Sequence, residues 1–67
     1  MPYVNIKITK ENVSSTQKAE LIEGVTTLIN KVLNRNINTT FVVIDEVETD
    51  NWGIAGEQVT KRRKQKK

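Results

Sequence analysis

At 67 residues with no cysteine and no histidine, the chain has room for one small domain and cannot reinforce it with disulfides or the common structural zinc sites. The same composition removes the usual general base and the most reactive nucleophile, so no Ser, Asp and His arrangement can exist. The net charge of +3 is unevenly placed: six of the 11 Lys and Arg residues fall between Lys61 and Lys67, while residues 1–60 carry five against eight carboxylates, or −3, which argues against a nucleic-acid partner.

The chain opens Met1-Pro2, and then Val4, Ile6 and Ile8 alternate with Tyr3, Asn5, Lys7 and Thr9. That period of two predicts a strand from Tyr3 to Thr9 with one apolar face. A proline at the front of a strand costs no ladder donor, which is a sufficient structural reason for Pro2. A chemical reason is also open. Methionine is commonly clipped before a small residue, and its loss here leaves a secondary amine whose reference pKa, ~8, falls toward neutrality in an apolar pocket or near cations.

Polar residues Lys10 to Ser15 read as a loop, and Ser14 with Gln17 fits a capping box that starts a helix. Leu21, Ile22, Val25, Leu28, Ile29, Val32 and Leu33 form one apolar stripe at helical spacing. Asn34, Asn36 and Asn38 mark its end, because asparagine tolerates left-handed cap and turn conformations. Phe41-Val42-Val43-Ile44 reads as a strand covered on both faces, and the acidic stretch Asp45 to Asp50 as a solvated connection. Asn51 to Glu57 has the glycine spacing of a tight hairpin. Lys61 to Lys67 lacks apolar residues and reads as a solvated, fraying tail beyond a domain of residues 1–60.

A strand, a long helix and a second strand make a βαβ unit of the α/β class with two parallel strands, followed by a short C-terminal hairpin. Two strands and one helix leave sheet edges and a sheet face open, so completion by oligomerisation is expected. No apolar run is long enough for a membrane helix, and the N-terminus lacks the charged and apolar regions of a signal peptide; a cytoplasmic protein is the default expectation. Nothing in the residues calls for a metal or another cofactor. The glycine-rich GIAG lacks the spacing of dinucleotide or P-loop motifs.

Met1-Pro2-Tyr3-Val4-Asn5-Ile6, Gln17-Lys18 through Leu21-Ile22, Val42-Val43-Ile44 followed by Glu46, and Trp52 to Glu57 together resemble the 4-oxalocrotonate tautomerase family, in an order that covers the chain to about Arg63. The resemblance implies removal of Met1, βαβ protomers paired into dimers and dimers assembled into a hexamer. It also implies a keto-enol isomerase in which Pro2 moves a proton within an enol or dienol acid such as 2-hydroxymuconate. Trp52 matches an aromatic that keeps the family's site apolar, although a core or interface role fits it equally. The two arginines that hold the substrate carboxylates in well-known members do not carry over: one falls near Asn12 and Val13, and the other aligns with Phe41, which would make that part of a pocket apolar. Lys10, Arg35 or Arg62 are the candidate replacement cations, each also readable as a solvated surface charge. Two other functions stay open: an oligomer that keeps the fold without the chemistry, and a binding module that uses its basic tails.

Overall fold

The computed structural model describes residues 1–34 and 36–65. Strand β1 (Tyr3–Thr9) leads through a loop into helix α1 (Ser15–Leu33), and a helical turn at Ile37–Thr39 precedes β2 (Phe41–Val47). A second turn at Thr49–Asn51 leads into a hairpin of β3 (Gly53–Ile54) and β4 (Glu57–Gln58), and helix α2 (Val59–Gln65) follows directly. β1 and β2 run parallel in register from Tyr3 opposite Phe41 to Thr9 opposite Val47. Two further backbone bonds extend that ladder at its ends: Phe41 N donates to Pro2 O (2.9 Å), and Lys10 N donates to Val47 O (2.8 Å).

The helix starts and stops where its local chemistry dictates. Gln17 N donates to Ser14 Oγ (3.1 Å) and Ser14 N donates to Gln17 Oε1 (2.9 Å), so each residue satisfies an amide that the first turn leaves without a partner. At the other end Asn34 adopts the left-handed conformation, φ 53°, which ends the helix at low cost for this residue type.

Two expectations need correction. The second strand does not stop at Ile44, because the first carboxylates of the acidic stretch find partners on the sheet. Asp45 accepts from Asn5 Nδ2 (2.8 Å) and Lys7 Nζ (3.0 Å), and Glu46 accepts from Lys18 Nζ of α1 (2.6 Å). The Glu46 contact also identifies the face turned to α1. By alternation Val42 and Ile44 share it, leaving Phe41 and Val43 on the opposite face, where they are 51% and 41% exposed. Within one chain, therefore, β2 is covered on one face only.

The second correction concerns the basic tail, which is helical as far as Gln65; Lys66 and Lys67 lie outside the described residues. Three anchors overcome its weak composition. Val59 is buried and its N–H donates to Trp52 O (2.8 Å), the hydroxyls of Thr49 and Thr60 pair, and Arg63 Nη2 donates to Glu11 Oε2 (3.0 Å).

Ala55 and Gly56 both have positive φ, 53° and 84°, which is the two-residue hairpin turn whose twist matches that of its strands. Only alanine resists this geometry. Ala55→Asn is therefore expected to raise stability by about 1 kcal/mol, measured by chemical denaturation of the full-length protein.

Burial shows how little of the fold closes on itself. Val59, at 5% exposure, is the only buried apolar side chain among the described residues, and α1 buries none of its own. Val25 and Ile29 are half-buried, whereas Leu28 and Val32 on the same stripe are 56% and 68% exposed. The stripe is broader than one two-stranded sheet can cover. Among the described residues no helix is long and apolar enough to cross a membrane.

Candidate active site

The candidate residues fall into two groups at opposite ends of β1. Pro2 stands at the first end, half-buried, with its carbonyl held by the Phe41 N–H. That bond fixes Pro2 to the sheet through its backbone and places Phe41 beside it, where the resemblance implies a cation. Met1 projects beyond the strand and is 84% exposed. While Met1 is attached, the Pro2 nitrogen is a tertiary amide with no basic lone pair.

The second group surrounds a cavity of about 730 Å³ where the far end of β1 meets the hairpin and α2. Ile8, Trp52, Ile54 and Val59 give it apolar walls, and Lys7, Glu11, Glu57, Arg62 and Arg63 supply its charge. Thr9 lies seven residue steps beyond Pro2, which at ~3.3 Å per step is about 23 Å of extended strand. One chain thus holds its proline far from its own cavity.

Of the cations considered from sequence, Arg62 lines the cavity. Lys10 does not; its Nζ pairs with Glu48 Oε2 at 3.3 Å on the surface. Arg35 lies outside the described residues. Arg63 was missed, although Val59 followed by arginines at i+3 and i+4 is the spacing that puts them on the side of the chain's apolar anchor. Among the described residues no group of three or more acidic side chains could hold a metal ion.

Two carboxyls have shifted acidity. Hydrogen bonds from Thr9 and Arg63, with the charge of Arg63, hold Glu11 below the usual carboxylate range. Hydrogen bonds from Asn5 and Lys7, with the charge of Lys7, do the same for Asp45. A lowered folded pKa means that each contribution is present above the unfolded value, about 4, and is lost as pH falls through the folded one. Because Glu11 ties α2 to the β1–α1 loop, acidification below pH ~4 is expected to lower the protection of α2 amides, read as exchange relative to the intrinsic rate at each pH. Glu11→Gln should remove that acid-sensitive step while leaving the one due to Asp45.

Comparison with known proteins places this geometry in context. A family model described as "Tautomerase enzyme" matches residues 2–62. The chain is 62% identical over 65 residues to the probable tautomerase K2 of Dickeya dadantii, covering 97% of each chain. The crystal structure of DmpI from Helicobacter pylori superposes with a TM-score of 0.87 at 46% identity, over 94% of this chain and 97% of that one. A heterohexamer 4-oxalocrotonate tautomerase from Chloroflexus aurantiacus shares the fold at 21% identity, with a TM-score of 0.83 over 91% of this chain and 97% of that one.

Proposed function

The chain belongs to the tautomerase family, and from that premise we propose that it is a keto-enol isomerase acting on an enol or dienol acid such as 2-hydroxymuconate. In this reading Met1 is removed and the freed Pro2 amine is the general base. It takes the proton of the enol oxygen and returns one to a carbon of the conjugated chain, leaving a conjugated ketone. Atoms and charge balance without a cofactor. The observation that carries the reading is that the family match begins at Pro2, a residue anchored by its own carbonyl at the end of a strand. An amine so held loses little freedom on meeting substrate.

The separation of Pro2 from the Trp52 cavity adds a second element to the proposal. The protein works as a homo-oligomer, dimers assembled into a hexamer, in which the Pro2 facing each cavity comes from another copy. Exposed Leu28 and Val32 on α1, and exposed Phe41 and Val43 on the sheet face away from it, support this, since exposed apolar patches mark contact sites. Phe41 beside Pro2 would then present a ring to the substrate.

Intact mass with a turnover assay on 2-hydroxymuconate tests the reading. The mature protein is expected to lack Met1 and to turn substrate over. A variant carrying an uncleavable N-terminal extension should keep its helical signal and lose activity. Equal turnover with the amine blocked would overturn the mechanism.

A further inference from the structure

The cavity between β1 and α2 holds more charge chemistry than a proton shuttle requires. Three of its ionisable side chains already have hydrogen-bond partners. Lys7 donates to Asp45 (3.0 Å), and Arg63 donates to Glu11 (3.0 Å), which also accepts from Thr9. Arg62 is different. Its Nη1 lies 3.5 Å from Glu57 Oε1, an ionic contact longer than a good hydrogen bond, and that contact occupies one corner of a group with five donors. The remaining edge of the guanidinium is the planar fork that matches a carboxylate. Beside it stand Ile8, Trp52 and Ile54, an apolar wall suited to a conjugated carbon chain.

We infer that this cavity binds an unsaturated monocarboxylate, its carboxylate on Arg62 and its conjugated chain against Trp52. The assignment deepens the isomerase reading, on which it rests for the reaction but not for the binding. One carboxylate is what the charges allow. With Lys7 and Arg63 hydrogen-bonded at 3.0 Å to Asp45 and Glu11, a second carboxylate would meet, among the described residues of the cavity, only cations held more tightly than Arg62, and would be repelled by Glu57. At the other end of the strand Phe41 offers a ring in place of a charge. A diacid therefore gains little from its second carboxylate, and Glu57 acts as a weak internal competitor for the first.

Because Trp52 is the only tryptophan in the chain, its emission reports on the cavity without turnover. The assembled full-length protein is titrated with sorbate, a conjugated monoacid with no enol to isomerise. Sorbamide, its uncharged analogue, and muconate, the diacid on the same carbon skeleton, are run alongside. Sorbate is expected to change Trp52 emission saturably and to bind more tightly than either analogue. Arg62→Ala should weaken sorbate by about tenfold or more and leave sorbamide unchanged, whereas Glu57→Gln should tighten sorbate. Opposite effects from the two members of one pair are not what a merely structural contact gives. Equal binding of sorbate and sorbamide, tighter binding of muconate, an unaltered Arg62→Ala or no saturable response at millimolar sorbate would each overturn the inference. Its failure is separable from that of the proton shuttle. Arg62-dependent sorbate binding with turnover indifferent to Pro2 would overturn only the shuttle, and Pro2-dependent turnover with Arg62-independent binding would overturn only this assignment.

Discussion

Pro2→Ala is expected to lower kcat on a dienol acid by about 10²-fold or more, within the ~10²–10⁴-fold range of positioned general bases, while the oligomer stays intact. Alanine keeps the carbonyl that accepts from Phe41 N (2.9 Å), so the first bond of the β1–β2 ladder survives. It is also small enough for Met1 to be clipped. What changes is the amine, which becomes primary and is no longer fixed in a ring, so base strength and aim both alter at one atom. Some turnover should remain, because a primary amine still has a lone pair. Steady-state kinetics alongside sedimentation separates the outcomes. Unchanged turnover removes Pro2 from the mechanism, whereas a dissociated variant would mean that its ring serves assembly.

The second large effect concerns stability. Leu28→Glu is expected to dissociate the protein and unfold it, even though Leu28 is 56% exposed in a single chain. Once another copy covers the stripe, the substitution forfeits ~1.5–3 kcal/mol of burial per copy and asks a carboxylate to desolvate without a partner, at several kcal/mol more. Domain stabilities are only about 5–15 kcal/mol. With Val59 the single buried apolar side chain among the described residues, the protomer has little core to fall back on. Circular dichroism and sedimentation at micromolar concentration check this. An unaltered Leu28→Glu oligomer would show that Leu28 faces solvent in the assembly, whereas a folded monomer would show that the protomer stands without its neighbours.

Elements that depend on near neighbours in the chain were legible from sequence. Tyr3 to Thr9 alternate cleanly, Ser14 and Gln17 cap each other three residues apart, and Asn34 takes the left-handed turn that its side chain tolerates. Elements settled by distant partners were not. Asp45 and Glu46 read as loop until Asn5, Lys7 and Lys18 reach them from 28 to 40 residues away, and the stretch from Lys61 read as tail until Val59, Thr60 and Arg63 anchored α2 to the hairpin and Glu11. The candidate site divides in the same way. Pro2 and Trp52 could be singled out as residue types suited to a role, but the cavity that gathers Trp52 with Arg62 and Arg63 arises only once α2 folds back onto β1.

The outward half of the α1 stripe also bears on how sequence change acts on this protein. In a symmetric assembly one codon alters every copy, and across a two-fold axis a residue meets the same patch of its neighbour. In the assembly proposed above, a substitution at Leu28 or Val32 is repeated at each equivalent contact, and its effect is multiplied before selection sees it. A mutational scan should rank these positions with buried ones despite their exposure in the single chain. Conversely, a favourable change there is amplified by the same symmetry, which makes the helix surface a short route to a more thermostable variant.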